Sequence, residues 1–186
     1  MASALLKMLF ILAFPAVVFV VTNYLMMHST GRYKFRHKKD YPDSVPLNLR
    51  WKGYDEEAIT NYWTWLDKKN ARVAEQRFLE ADLVFPFFYG GAMLTSLLLA
   101  WVWLERPFDP SWLVIPVAVA VLADWTENLV QLPHLRHFVP GESLQGSWIQ
   151  VASIATITKW VFVSASALLI LSLGVWVFLH TISTSK

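Results

Sequence analysis

"WLVIPVAVAVLADWTENLVQ", residues 112–131, decides the fold. It is as long as the roughly 20 apolar residues that cross a bilayer core. Yet its second half carries Asp124, Glu127 and Asn128. The stretch therefore reads as a membrane span with a polar face. Three further runs of similar length surround it, at about 4–27, 81–104 and within 148–180, the last most apolar over 160–179. The chain is 55% hydrophobic and only 16% charged, which is too apolar for a soluble domain of this size. The expected fold is all-α, an integral membrane four-helix bundle with one amphipathic helix on the cytoplasmic side. Its expected parts are a first span (1–27), a basic segment with the amphipathic helix (28–80), and three more spans (81–186).

The first apolar run carries only Lys7, is longer than a signal-peptide core, and is not followed by a small-x-small cleavage site, so it reads as a retained span. Residues 28–80 hold 11 of the 16 Lys and Arg residues. The positive-inside rule puts that segment and the 132–147 loop in the cytoplasm, with both termini outside. Within it, "RYKFRHKKD" (32–40) has five cations before its first acid. Such a stretch beside a span is expected to rest on anionic lipid headgroups, here over 32–39. The total charge of +2 gives no reason to expect nucleic acid.

After the connector "YPDSVPLNLRWKGY", "DEEAITNYWTWLDKKN" reads as a helix capped by Asp55, with acids in its first turn and lysines in its last. Ile59, Tyr62, Trp63 and Leu66 form one apolar face, suited to the headgroup level. A second helix from about Ala71 is expected to continue directly into the second span. The tryptophans at 51, 63, 65, 101, 103, 112 and 148 read as interface markers. Gly90, Gly91, Ser96 and the run Ser164–Ala167 read as close-packing positions.

With this topology, Asp124 lies about 18 Å along the third span from Trp112, at 1.5 Å per residue. Glu127 and Asn128 follow at i+3 and i+4 on the same face. Asp82 opens the second span and Lys159 lies near the start of the fourth, so these groups reach one cytoplasmic third of the bundle. A carboxylate there costs roughly 2.5–3.5 kcal/mol on insertion scales, and such residues face a bundle interior or a wet cavity. Asp124, Glu127 and Lys159 are the candidate catalytic residues, a carboxylate acting as acid or base. Asp82, Asn128, Trp125 and Arg136 are candidate ligand-binding residues, with Arg136 able to meet a phosphate or Glu127. The competing reading is structural: Lys159 pairs with a carboxylate and pins the spans together. His134 and His137 are weak candidate metal ligands, because Pro133 is expected to break the helix there and no metal motif is matched. No cofactor is specified. The chain has no cysteine, Gly-rich phosphate loop, nucleophile elbow, HExxH or dense histidine box. That weighs against ATPases, serine hydrolases, zinc proteases and di-iron desaturases.

The pieces "EADLVFPFFYG", "LADWTENL" and "ATITKW" together resemble a group of small bacterial four-span membrane proteins. These carry an Asp before Phe-Pro in one span, Asp-x-x-Glu-Asn in the next and a Lys in the last. The resemblance covers about the last two-thirds of the chain. It implies a bacterial inner-membrane location and that Asp82, Asp124, Glu127, Asn128 and Lys159 belong together, with no activity attached. The sequence thus leaves a small membrane enzyme or binding protein for a lipid or isoprenoid-like ligand, an accessory subunit of a membrane complex, or, less well supported, proton-coupled transport.

Overall fold

The computed structural model describes residues 1–35, 44–106, 108–142 and 144–184. Six α-helices follow in order: α1 (Ala2–Ser29), α2 (Glu56–Lys68), α3 (Arg72–Ala81), α4 (Phe85–Trp103), α5 (Ser111–His137) and α6 (Ser147–Thr184). No strand occurs among the described residues. Four helical stretches are long and apolar enough to cross a membrane: Ala2–Ser29, Arg72–Trp103, Ser111–His137 and Ser147–Thr184. Large apolar side chains cover the outside of these helices as well as the inside, among them Val17, Val20, Phe87, Ile115, Val161 and Leu168. An apolar outer surface is what a lipid solvent selects. α1 is the most peripheral of the four, buried only at Ala4, Ile11, Pro15 and Met26.

α6 has 38 residues, about 57 Å of helix, and so outruns a bilayer core of about 30 Å. The surplus serves a second layer. One apolar cluster joins α1, α4, the first half of α5 and the second half of α6, through residues such as Ile11, Leu97, Leu113 and Val177. A second joins Leu47, α2, Leu79, the end of α5 and Ile149 at the start of α6. Asp124, Glu127, Asn128 and Lys159 fall on the seam between the two.

α2 starts as its sequence dictates: Asp55 Oδ1 accepts from the Ala58 amide at 2.8 Å. It ends on Asn70 in the left-handed region, where the Ala71 amide reaches back to the Leu66 carbonyl at 2.8 Å. Its apolar face is the expected one, but its place differs. Ile59, Tyr62, Trp63 and Leu66 are buried against protein, not spread at headgroup level. Trp63 stacks on Trp148 and meets Phe138 edge-on. The connector before α2 is fastened onto α6: Trp160 Nε1 donates to the Asn48 carbonyl at 2.9 Å and the Tyr54 amide to Ser153 Oγ at 2.8 Å. Gly53 (φ +83°) lies so close that an added Cβ would stand 2.6 Å from Ser153 Oγ.

Two helix boundaries correct the sequence reading. α3 does not run into α4. Pro86 lacks the N–H that would bond Asp82 four residues earlier, and its ring crowds that carbonyl, so a turn at 82–84 separates the helices. Conversely, Pro133 does not end α5, which continues to His137. The carbonyl it frees belongs to Leu129, on an exposed face where solvent or headgroups can satisfy it.

The basic run also divides. Residues 36–40 lie outside the described residues, but Arg32 turns inward and is 7% exposed. Its Nε is 2.8 Å from Glu75 Oε2, its Nη2 donates to Glu75 Oε1 at 3.0 Å, and its guanidinium covers the Phe78 ring at 3.5 Å. Nη2 also reaches Tyr62 Oη at 3.4 Å. Burial and the Glu75 carboxylate push the Tyr62 phenol up from its ordinary range. Arg32 therefore cannot serve the headgroups.

Breaking such a pair leaves an uncompensated buried charge, at a cost of about 3–5 kcal/mol. Arg32→Met is expected to lower the unfolding midpoint in detergent strongly, and adding Glu75→Leu to recover much of the loss. A double variant no more stable than Arg32→Met alone would contradict this pairing.

Candidate functional site

The face of α5 that carries Asp124, Glu127, Asn128 and Gln131 is buried, each residue at most 3% exposed. Lys159, from α6, enters between the two carboxylates: its Nζ is 3.1 Å from Asp124 Oδ1 and 2.5 Å from Glu127 Oε2. The remaining carboxylate oxygens are met by Tyr89 and Gln131. Tyr89, on α4, donates to Asp124 Oδ2 at 3.0 Å. Gln131 Nε2 donates to Glu127 Oε1 at 3.2 Å and to Tyr54 Oη at 2.8 Å. Burial, with the Glu127 charge nearby, raises the Tyr54 phenol above its usual range. Tyr89 reaches Asp124 because α4 and α5 approach closely at Gly90, where a Cβ would stand 2.6 Å from Val121 Cγ2.

The α3–α4 break supplies the other half. It frees the carbonyls of Asp82 and Leu83, which in a lipid surrounding must find donors. Both donors come from α5. Asn128 Nδ2 reaches the Asp82 carbonyl at 3.3 Å and Asp82 Oδ2 at 3.1 Å. Trp125 Nε1 donates to the Leu83 carbonyl at 2.9 Å, and its ring packs on Phe87. Asn128 Oδ1 is buried without a partner among the described residues. Its amide is oriented by three acceptors, the two Asp82 oxygens and Asp124 Oδ1 at 3.5 Å.

The five residues expected to belong together, Asp82, Asp124, Glu127, Asn128 and Lys159, thus form one cluster. They are not equivalent. The charge of Lys159 is offset by Asp124 and Glu127, whereas Asp82, 2% exposed, forms no ion pair among the described residues. Asp82 and Lys159 are both buried in the bundle.

Asp82, Asp124 and Lys159 line a cavity with about 470 Å3 of empty space, part of it open at the mouth. Its other walls are Phe19, Asn23 and Met26 of α1, Asn48 and Leu49 of the connector, Phe85 and Tyr89 of α4, and Trp160 and Val163 of α6. Glu127, Asn128 and Trp125 are not on this wall. Glu127 stands behind Lys159, and Trp125 serves a backbone carbonyl.

Arg136 reaches neither Glu127 nor the cavity. It pairs with Glu80 at 2.6 Å, both half exposed, a surface contact of small worth. The ring of His134 stacks on Trp148 with centroids 3.9 Å apart, and His137 is exposed. Among the described residues no group of three or more His, Asp or Glu is arranged to hold a metal.

Sequence reasoning did not single out Asn23, Tyr54 or Tyr89 as parts of this site. Asn23, a lone amide in a greasy helix, carried the strongest signal.

Compared with known proteins, the chain matches no family model, no curated protein and no solved structure. The site geometry carries the functional reading.

Lys159→Met would leave two buried carboxylates facing each other, which is more costly than removing either one. Its unfolding midpoint in detergent is expected below that of Asp124→Asn, and Glu127→Gln in the Lys159→Met background to raise it again. No recovery would contradict charge pairing as the role of Lys159.

Proposed function

We propose that this membrane protein binds a lipid-like amphiphile in the cavity beside Asp82, with the polar cluster receiving its head and the apolar walls its chain. The observation that carries the reading is the unequal use of charge: the charge of Lys159 is offset by Asp124 and Glu127, while Asp82 lines the cavity and forms no ion pair among the described residues. A buried carboxylate left in that condition beside a cavity is an expected functional position in a membrane protein. Phe19, Met26, Phe85 and Val163 make the same cavity apolar on its other sides, as ligand cavities usually are. Should the site catalyse a reaction, Asp124 is better placed than Glu127 to exchange a proton with a bound molecule, because it lines the cavity. The charge asymmetry supports a site at the cytoplasmic leaflet, the resemblance to small bacterial four-span proteins implies an inner membrane, and anionic headgroups are the expected partner of the basic run that follows Arg32.

A second reading is favoured by the saturated half of the cluster. Tyr89 from α4, Lys159 from α6 and Gln131 from α5 itself satisfy Asp124 and Glu127, and Tyr54 fastens Gln131 to the connector, as a structural pin in a subunit of a larger complex would. A stable membrane-protein partner retained through mild-detergent purification would favour that reading.

Native mass spectrometry of the protein extracted from its membrane tests the first. A bound species of single-amphiphile mass is expected on the wild type. Asn23→Phe, which fills the cavity from α1, should abolish it without changing the gel-filtration profile. An empty wild-type protein, or an unchanged adduct on the variant, would contradict the proposal.

A further inference from the structure

The cavity beside Asp82 has a second component, a ring of aromatic groups. Phe85 and Tyr89 lie 5.2 Å apart at 51°. Phe19 closes the group from α1, 5.5 Å from Phe85 and 6.3 Å from Tyr89. Trp160 stands on the same cavity wall, its ring fixed by the bond from Nε1 to the Asn48 carbonyl. Aromatic rings from three helices therefore surround a space whose polar floor is the carboxylates of Asp82 and Asp124.

The charge along this space is one-sided. Lys159 is the cation on the described wall, and it is already 3.1 Å from Asp124 and 2.5 Å from Glu127. A neighbouring cavity, with about 620 Å3 of empty space, shares Asn23, Asn48 and Leu49 with the first. Its cation is Arg32, which is consumed by Glu75. Neither cation among the described lining residues is thus left with its charge uncompensated to attract a phosphate or carboxylate. An anionic head placed here would face Asp82 and Asp124 at short range in a low dielectric, where like charges repel strongly. A positive head would meet the reverse: a carboxylate that has no ion pair among the described residues for its charge, and aromatic rings for its alkyl or methyl groups. Carboxylate plus aromatic rings is the chemistry that recognises ammonium ions. The amide of Asn23 adds a carbonyl oxygen that can accept from an N–H head, whereas Asn48 Oδ1 already accepts from Arg32 Nη2 at 3.3 Å.

We infer that the ligand of this site is an amphiphile with an ammonium head, held by Asp82 within the Phe19–Phe85–Tyr89–Trp160 ring, its apolar chain leaving beside α1. The inference rests on the proposed amphiphile site and adds the sign of the head group. Asp82 supplies the counter-charge, and Asp124 stays with Lys159 and Tyr89. It disfavours the phosphate-headed isoprenoids that a polybasic membrane protein would otherwise suggest.

The test compares three probes of equal chain length, dodecylammonium, dodecanol and dodecyl phosphate, titrated calorimetrically into the protein held in nanodiscs of neutral lipid. Dodecylammonium should bind tightest and dodecyl phosphate weakest. Asp82→Asn should weaken dodecylammonium by about tenfold or more, the scale of a lost charge-assisted contact, while leaving dodecanol unchanged. The wild-type ranking decides the matter even if the variant does not fold. If dodecanol or dodecyl phosphate binds the wild type as tightly as dodecylammonium, the head-group assignment falls while the amphiphile site stands. If a folded Asp82→Asn keeps full affinity for dodecylammonium, the assignment to Asp82 falls. If none of the three binds, both readings fall together.

Discussion

Everything in this bundle is arranged around Lys159 standing between Asp124 and Glu127. Two carboxylates one turn apart on a buried helix face cannot both remain charged in an apolar surrounding without a cation. Lys159 supplies it from the facing helix, at 3.1 and 2.5 Å. The contact sets the register of α5 against α6, and α4 and the connector follow through Tyr89 and Tyr54. It also sets depth. The cluster occupies the seam between an apolar layer built mainly from the spans and a second one built around α2, where a polar layer disrupts neither.

The break between α3 and α4 is the second determinant. A continuous helix would consume its own carbonyls and leave Asn128 and Trp125 with nothing to bind. Pro86 prevents that, and the two carbonyls it exposes are taken by those side chains. The same turn places Asp82 beside the aromatic residues that begin α4. One proline thus links the backbone chemistry of the second span to the cavity that its first residues line.

Much of this was legible in the sequence. Four membrane-length runs gave the spans, and the i, i+3, i+4 spacing of Asp124, Glu127 and Asn128 gave their shared face. Asp55 announced the start of α2. What was not legible depended on contacts far apart in the chain. Arg32 is one of five cations in a run that reads as uniformly superficial, and nothing local marks it as the buried one. The available hint was on its partner: Glu75 interrupts a face of α3 otherwise made by Ala71, Phe78 and Leu79, all buried. Nothing local marks Tyr54 or Tyr89, because a phenol's partner is set by packing. Pro86 and Pro133 show why the same residue type misleads. The first broke a helix where side chains could cap it, and the second was absorbed where the freed carbonyl faces outward.

Because Asp124 and Glu127 offset the charge of Lys159, Asp82 is the group left to meet a ligand. A high-resolution density map of the protein extracted with its native lipid, and with no ligand added, tests this most directly. Elongated density is expected to begin within hydrogen-bond distance of the Asp82 carboxylate and to run past Phe19, Phe85 and Val163 toward α1. A map in which Asp82 is instead paired with a cationic side chain of this protein, and α1 is closed against α6 with no intervening density, would contradict it.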